Sequence, residues 1–287
     1  MPTHTIPSLR AHAVAVLSSA GVPTPDADAE LLIGHVLGLT RGQVQAKAVT
    51  DAGVAASDAM DVLEVVERRA AREPLQHITG RAAFRSLELA VGPGVFVPRP
   101  ETETVAQLAI DALLAVASPA PLAVDLGTGS GAIALAMATE VPHAVVVAVE
   151  NSPRAYVWTR RNARDVAAPN LRLVFADLAS AVPELDGTAD VVVSNPPYIP
   201  LGAVPRDPEV RLHDPEHALY GGPDGLDVVR AVSVRAAALL RPGGTLVLEH
   251  GEAQGLAIRE LLAADGWRAA VTSPDLLGRD RATSATR

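Results

Sequence analysis

The chain has 287 residues, no cysteine and a formal net charge of −9. This length exceeds a typical single domain and predicts two. The lack of cysteine excludes disulfides, thiolate nucleophiles and cysteine-ligated metal centres, and the acidic balance argues against extended binding to phosphate backbones. The first residues contain no apolar signal core, and no apolar run approaches the ~20 residues of a membrane span. We therefore expect a soluble, cytoplasmic protein.

Residues 1–75 show the apolar periodicity of helices. Two apolar faces are apparent, one formed by Leu9, Ala13, Val16 and Leu17 and the other by Ala29, Leu32, Ile33, Val36 and Leu37. Two prolines, Pro23 and Pro25, separate these helices. A third helix is predicted from about Ala56 to Arg72, and Pro74 stops it. The first 75 residues therefore predict a small helical domain.

The next segment changes in character. Residues 76–98 place apolar side chains between glycines at positions 80, 92 and 94, which predicts a β-hairpin linker. The remaining residues, 99–287, form the larger predicted domain.

A glycine-rich loop stands between a strand and a helix in this larger domain. Leu122–Val124 is a short apolar strand, Asp125–Gly131 reads DLGTGSG, and an alanine-rich helix runs from Ala132 to about Thr139. Glycines allow the backbone to turn tightly and approach a ligand, and the helix amino end offers free N–H groups. The residues that also fit the looser dinucleotide fingerprint are Gly127, Gly129 and Ala132. The loop alone therefore predicts a nucleotide-type cofactor, and NAD remains one possibility.

The next two strands also end in acids. The strand Ala144–Val149 leads to Glu150, about twenty residues after the glycine loop, at the offset expected of a ribose-binding carboxylate. The strand Leu171–Phe175 leads to Asp177 and Leu178, which suit an adenine amino group and ring. Taken singly, Glu150 would fit a solvated acid and Asp177 a helix cap. Their recurrence at successive strand ends favours a common ligand at the carboxyl edge of a parallel sheet.

A fourth strand, Val191–Val193, leads to Asn195-Pro196-Pro197-Tyr198. Two prolines cannot continue a strand because each lacks a backbone donor, so the chain leaves the sheet in a stiff loop. This loop offers an amide side chain, the carbonyl of Pro196 and the flat ring of Tyr198. Such a set can hold a planar amide or amino group, with oxygens accepting its N–H bonds and the ring covering one face. A proline-rich turn with a buried tyrosine is the plain alternative.

On these residues the chain resembles the class I S-adenosylmethionine-dependent methyltransferases. More narrowly, it is similar to the protein-(glutamine-N5) methyltransferases that modify peptide chain release factors. Further stretches carry the likeness: Arg72–Gly80, Val97–Glu103, Ala218–Leu226, Leu248–Gly251 and Asp275–Arg281. The Asn-Pro-Pro-Tyr motif also occurs in adenine-N6 DNA and some guanine-N2 RNA methyltransferases. The segment Arg99–Glu103, which begins the larger domain and is called the entrance motif below, does not occur in those families. One departure is Asp214, where the family more often has glutamate, and it leaves the charge unchanged.

The resemblance implies an α/β fold, namely a Rossmann-like, mostly parallel seven-stranded sheet with a small N-terminal helical domain and a β-hairpin linker. It implies S-adenosyl-L-methionine as cofactor, and the glutamine of a Gly-Gly-Gln loop in peptide chain release factors as substrate. Residues 1–75 would dock the substrate protein, and neither a membrane nor a nucleic acid is expected as partner. The alternative is an amino-group methyltransferase acting on adenine N6 or guanine N2 of DNA or RNA. Such an enzyme should bring a basic recognition domain or stacking aromatic groups.

The resemblance also assigns roles to residues. Cofactor binding is expected from Gly127, Thr128, Gly129, Ser130, Gly131, Glu150, Asp177, Leu178 and Asn195. Catalysis is expected from Asn195, Pro196 and Tyr198, with Pro197 as a further substrate contact. Because Pro98 and Pro100 fix their backbone, Arg99 and Glu101 are candidates for a role near the cofactor. The eight histidines form no trusted metal-ligand spacing, so no metal site is predicted.

Overall fold

The structure, a computed structural model, describes residues 4–287. The helices in this range are α1 (Ile6–Ser19), α2 (Pro25–Leu37), α3 (Arg41–Val49), α4 (Ala56–Ala70), α5 (Leu75–Thr79), α6 (Thr102–Leu114), α7 (Ala132–Glu140), α8 (Pro153–Val166), α9 (Pro208–His213), α10 (Asp227–Leu239) and α11 (Gly255–Ala264). The strands are β1 (His4–Thr5), β2 (Gly53–Val54), β3 (Arg81–Phe84), β4 (Leu87–Ala90), β5 (Leu122–Leu126), β6 (Val145–Glu150), β7 (Leu171–Phe175), β8 (Ala189–Ser194), β9 (Leu240–Glu249), β10 (Arg268–Pro274) and β11 (Asp280–Thr286). In the described part of the chain, no helix is long and apolar enough to cross a membrane.

The chain divides into two compact units. One comprises residues 4–80 together with 206–213, and the other comprises 81–205 and 214–287. This division differs from the predicted boundaries in two ways. The β3–β4 hairpin belongs to the larger unit instead of standing between the two, and α9 belongs to the helical unit although it lies far along the chain.

The helical unit has an apolar core between α1, α2 and α4. The residues of the two predicted faces are buried at Leu9, Ala13, Leu17, Ala29, Leu32 and Ile33, and half-buried at Val16, Val36 and Leu37. Helix α3 was not predicted, because its single buried apolar side chain, Val44, leaves no periodic signal. A capping box starts that helix instead: the Gln43 N–H donates to Thr40 Oγ1 over 3.3 Å, and the Thr40 N–H donates to Gln43 Oε1 over 2.8 Å.

Ion pairs join α9 to the same unit. Glu209 is buried, and its carboxylate accepts from Arg69 Nη1 at 2.7 Å and from Arg72 Nη2 at 2.6 Å. The guanidinium of Arg69 also donates to Asp28 Oδ2 at 2.8 Å. Two arginines near the end of α4 thus hold α9 by a charge network that is largely withdrawn from water.

The larger unit is built on a seven-stranded sheet with the order β10-β11-β9-β8-β5-β6-β7. All pairings from β9 to β7 are parallel, whereas β11 is antiparallel to both of its neighbours. Alternate residues face opposite sides of the sheet, so Val191 and Val193 pack with α6 and α7, and Val192 packs with α10 and α11. The predicted Rossmann-like, mostly parallel fold is confirmed.

The predicted strands and hairpin are present, with one difference in β9. Pro242 and the two glycines of Arg241–Gly244 predict a turn before a strand at Thr245–Glu249, but the strand already begins at Leu240. Leu240 pairs with Ala189 and Thr245 pairs with Val191, so the four residues between them bulge out of the ladder. Gly243 has a φ of +81°, which suits such a bulge.

Candidate active site

The order of the strands places the candidate site between β5 and β8. These strands are neighbours, and the chain continues outward from them in opposite directions across the sheet. In open α/β sheets, ligands bind at the carboxyl ends of such a strand pair. The Ser194 hydroxyl at the end of β8 donates to the carbonyl of Leu126 at the end of β5 over 2.6 Å. The glycine loop and the Asn195 loop therefore start from two strand ends that are bonded to each other.

The glycine loop is held in place by hydrogen bonds to Asp125, the residue at its start. Its Oδ2 accepts from the Thr128 hydroxyl at 2.6 Å and from the Ala134 N–H at 3.1 Å, so it caps both the loop and α7. Burial raises the pKa of Asp125 to about 7, and the hydrogen bonds from Thr128 and Ala134 oppose this shift. Gly127, Gly129 and Gly131 all have positive φ, which a residue with a side chain adopts only with strain.

Glu150 lies against this loop and is not a solvated strand-end acid. Its Oε2 accepts from the Gly129 N–H at 2.8 Å, and its Oε1 accepts from the Ser152 N–H at 2.7 Å. The residue is buried. Burial raises its pKa, and the backbone hydrogen bonds from Ser152 and Gly129 oppose that effect. Because each carboxylate oxygen carries a further lone pair, Glu150 can still accept from two hydroxyls.

The third strand end is more open. Asp177 is exposed, and its Oδ1 accepts from the Ala179 N–H at 2.9 Å, as in a turn. Its Oδ2 lies 3.5 Å from Asn151 Nδ2, which follows Glu150 directly. Leu178 is half-buried against the apolar core of the sheet. Asp177 and Leu178 are thus beside the Glu150 strand end, on the same edge of the sheet.

Helix α8 also supports the glycine loop, through two side chains that were not among the predicted site residues. The Thr159 hydroxyl donates to the Gly129 carbonyl at 2.6 Å, and Asn162 Nδ2 donates to the Ser130 carbonyl at 2.9 Å. A Cβ on Gly131 would lie 2.9 Å from Thr159 Cγ2, so this helix also requires glycine there. The available signal was two polar residues, three positions apart, on the buried face of an otherwise polar helix.

In the Asn195 loop, the amide and the ring are each held by a side chain from another element. Asn195 Nδ2 lies 3.5 Å from Thr102 Oγ1, and the Tyr198 hydroxyl lies 3.5 Å from Glu249 Oε1. Gln254 Nε2 donates to the Tyr198 carbonyl at 2.9 Å. Neither Thr102 nor Glu249 was among the predicted site residues, although they lie in two stretches that carry the family likeness, Val97–Glu103 and Leu248–Gly251.

The stretch Ala218–Leu226 packs directly on the Asn195 loop. The Ile199 N–H donates to the Leu219 carbonyl at 2.8 Å, and the Gly221 N–H donates to the Ile199 carbonyl at 2.9 Å. A Cβ on Gly221 would collide with the Pro197 carbonyl oxygen, and one on Gly225 with the Tyr198 carbonyl oxygen. Glycine at these two positions therefore permits the close backbone approach that braces the loop.

At the entrance motif, Arg99 pairs with Asp214. Arg99 Nη2 donates to Asp214 Oδ2 at 2.7 Å, and the guanidinium lies 5.2 Å from the Phe96 ring centroid. The aspartate that departs from the family pattern thus still provides the carboxylate for this pair. Burial raises the pKa of both Tyr198 and Glu249, and the charge of Glu101, which immediately precedes α6, adds a smaller contribution in the same direction. Among residues 4–287, no cluster of three histidines or acids could hold a metal ion.

Two family models match consecutive parts of the chain. The PrmC N-terminal domain matches residues 8–80, and the methyltransferase small domain matches residues 87–204. The second match contains both the glycine loop and the Asn195 loop.

Curated relatives match over nearly the whole length. The release factor glutamine methyltransferase of Streptomyces coelicolor is 51% identical over 279 residues, covering 96% of this chain and 96% of the relative. The 4-amino-L-phenylalanine/4-methylamino-L-phenylalanine methyltransferase of Streptomyces pristinaespiralis is 41% identical over 265 residues, covering 90% of this chain and 87% of the relative. A solved structure, the T. Thermophilus 16S rRNA N2 G1207 methyltransferase in complex with AdoMet and guanosine, has a TM-score of 0.53 and 23% identity. It covers 72% of this chain and 49% of that chain, and this match concerns the fold alone.

Proposed function

Since this chain belongs to the release factor glutamine methyltransferase family, we propose that it transfers a methyl group from S-adenosylmethionine to a glutamine of peptide chain release factors. The acceptor is the side-chain amide nitrogen N5 of the glutamine in their Gly-Gly-Gln loop. One observation carries the proposal: the Asn195 loop and the glycine loop leave adjacent, bonded strand ends. A loop that can accept hydrogen bonds from a planar amide thus adjoins a nucleotide-type site. Release factors act on translating ribosomes, so the enzyme would work in the cytoplasm.

The glycine loop and its neighbours fit the cofactor. A Cβ on Gly127 or Gly129 would meet nothing within 4 Å, so open space lies over the loop backbone. Glu150 would accept from the ribose hydroxyls with its remaining lone pairs, and Asp177 would accept from the adenine amino group with Leu178 against the ring. When bound, the cofactor supplies an electrophilic methyl group on its sulfonium.

The Asn195 loop would orient the acceptor. An amide nitrogen is a poor nucleophile because its lone pair is delocalised into the carbonyl. With Nδ2 of Asn195 directed at Thr102 Oγ1, Oδ1 is the atom of that side chain that would accept one N–H of the glutamine. The Pro196 carbonyl would accept the other, and the Tyr198 ring would cover the face of the amide. Alignment and proximity then matter more than a strong base, because nitrogen loses its proton readily once it is alkylated.

The helical unit would dock the substrate protein. Its segment 206–213 follows the Asn195 loop in the chain and is anchored to α4 through Glu209. Docking away from the reacting loop would contribute binding energy that a short peptide lacks. An intact release factor should therefore be a far better substrate than a peptide carrying the same Gly-Gly-Gln sequence.

The deciding experiment uses labelled S-adenosylmethionine with four separate acceptors: a release factor, duplex DNA, ribosomal RNA and 4-amino-L-phenylalanine. We expect label on one glutamine of the release factor, and no label once that glutamine is replaced. The net charge of −9 argues against the nucleic acids. Label on nucleic acid or on the free amino acid, with none on protein, would overturn the proposed substrate.

A second experiment tests the role of Asn195. The variant Asn195→Ala should keep its fold and most of its cofactor affinity, while turnover falls about 10²-fold or more, the scale of losing one positioned polar group. Asn170→Ala is the matched control, because Asn170 Nδ2 donates to the Ala138 and Ala144 carbonyls at 3.0 Å, at the opposite edge of the sheet. It should reduce stability and leave turnover unchanged. Near-normal turnover in Asn195→Ala would disprove the assigned role.

A further inference from the structure

Glu249 is a buried acid beside the Asn195 loop that the mechanism above does not use. It is the last residue of β9, and it pairs with Ala282 of β11 on one side. On the other side, Leu248 pairs with Ser194, so Glu249 lies level with Asn195. The residue is only 1% exposed. A carboxyl at this depth is costly unless neighbouring groups compensate for the lost hydration.

The carboxyl of Glu249 is incompletely satisfied. The Tyr198 hydroxyl approaches Oε1 at the long distance of 3.5 Å, and among residues 4–287 Oε2 has no hydrogen-bond partner. Burial raises the pKa of Glu249, and the hydroxyl of Thr102, a residue that is 4% exposed, opposes this shift from close by. Two of the groups near this carboxyl therefore belong to the candidate site: Tyr198 lies in the Asn195 loop, and Thr102 is the contact of the Asn195 amide.

The chemistry of the hydroxyl connects these contacts. A threonine hydroxyl has one proton to donate and can also accept. If that proton is directed at the Glu249 carboxyl, the oxygen of Thr102 can act towards Asn195 only as an acceptor. The amide of Asn195 must then present Nδ2 to Thr102, as the 3.5 Å contact has it, and Oδ1 is left for the substrate.

We propose that Glu249 is a positioning residue, which sets the orientation of the Asn195 amide through Thr102 and anchors the ring of Tyr198. The contacts would shorten when the substrate closes the site, because hydrogen bonds at active sites are often long without ligand. The inference rests on the proposed function for its kinetic test. Its spectroscopic test is independent of which acceptor the enzyme methylates.

The charge state of Glu249 gives the proposal a pH dependence. Burial raises the pKa of Glu249 to about 7, and the nearby Thr102 hydroxyl and the Arg281 cation oppose the shift. Glu101 and Tyr198 also act on this carboxyl, His250 follows it in the chain, and the Asp275 carboxylate lies 3.6 Å from Arg281. The neighbouring elements further carry Glu103 and Asp111 on α6, Asp280 on β11 and Asp190 on β8. The ionised carboxylate accepts from both hydroxyls, so turnover should rise as the pH increases through about 7.

The first test is Glu249→Gln, which keeps the shape of the side chain. Its amide has one accepting oxygen and one donating NH2 group, so it cannot accept from both hydroxyls as two carboxylate oxygens can. On whichever acceptor the wild-type enzyme methylates, kcat should fall about 10- to 100-fold, while KM and cofactor affinity change little. The rise of kcat between pH 6 and pH 8 should disappear. Asp190→Asn is the matched control: this buried acid lies at the other end of β8 and accepts from the Leu122 N–H at 2.8 Å. It should lose stability and keep both kcat and the pH profile.

The second test uses Thr102. Thr102→Val removes the hydroxyl at nearly constant shape and should lower kcat as Glu249→Gln does, and the double variant should lose no more than either single one. Thr102→Ser should restore most of the activity. In solution NMR, the side-chain amide resonances of Asn195 should shift with pH around 7 in the wild type and not in Glu249→Gln. Unchanged kcat and an unchanged pH dependence of those resonances in both variants would overturn the proposal, whatever the acceptor.

Discussion

Glu150 connects the glycine loop to the proposed ribose site through a single carboxylate. Both of its oxygens already accept one backbone N–H each, from Gly129 and Ser152. The carboxylate is thereby held in one orientation before any ligand arrives, which reduces the entropy that binding must overcome.

Replacing this carboxylate should weaken the binding of the cofactor. Glu150→Ala leaves the ribose hydroxyls and two backbone donors without their acceptor, so affinity for S-adenosylmethionine should fall by roughly 1–3 kcal/mol. Isothermal titration calorimetry measures this loss of affinity directly. Glu184→Ala, which removes an exposed glutamate paired with Arg172, is the control and should bind normally. Binding of NAD by the wild type, with no response to S-adenosylmethionine, would contradict the cofactor assignment.

At the scale of elements, the most consequential contact is the one that attaches α9 to α4. Glu209 accepts from Arg69 and Arg72, and Arg69 also pairs with Asp28. Although burial raises its pKa, the hydrogen bonds from Arg72 and Arg69 prevail and lower the pKa of Glu209 to about 2. A carboxyl with a lowered pKa stabilises the folded state above its ordinary value of 4.5, and this contribution disappears as the pH falls towards 2.

Glu209→Gln should therefore destabilise the helical unit at pH 7 by about 3 kcal/mol, because Arg72 loses its carboxylate partner and Arg69 keeps only Asp28. The difference from the wild type should shrink at pH 3, where the wild-type carboxyl begins to lose its charge advantage. Limited proteolysis and denaturant unfolding at both pH values measure the effect. The exposed Glu216 offers a control, Glu216→Gln. Equal stability of Glu209→Gln and the wild type at pH 7 would show that α9 is held by other contacts.

The whole molecule combines acids whose pKa values are shifted in opposite directions. Asp125 differs from Glu209, because burial raises its pKa from 3.8 to about 7. Between these two values the folded state binds more protons at Asp125 than the unfolded state does. This group therefore favours folding less as the pH rises, and its effect levels off above about 7.

Asp125→Asn isolates this effect from those of the other groups. Relative to the variant, the wild type without cofactor should lose about 2–3 kcal/mol of stability between pH 5 and pH 8. Thermal or denaturant unfolding of both proteins across that range gives the difference. A constant difference between the two proteins would mean that Asp125 does not titrate in this window.

The sequence alone determined the parts of this protein whose signals are local. Strands buried on both faces appear as continuous apolar runs, and Asp125–Gly131 and Asn195–Tyr198 follow such runs directly, so sheet, edge and loops were predictable. Helix α3 was not predicted because a capping box, and not an apolar stripe, defines it. The residues of the loops could be named as candidates, but not the side chains that support them.

Only the tertiary structure decided those supports and the extent of the helical unit. Thr102 and Glu249 come to Asn195 and Tyr198 from α6 and β9, and Thr159 reaches the glycine loop from α8. Glu209 joins the helical unit through partners 137 and 140 positions earlier in the chain. No local pattern encodes such pairings, because a hydrogen bond or ion pair depends on which surfaces packing brings together. The identity of the reacting loops is thus a property of short segments, whereas their orientation is a property of the folded chain.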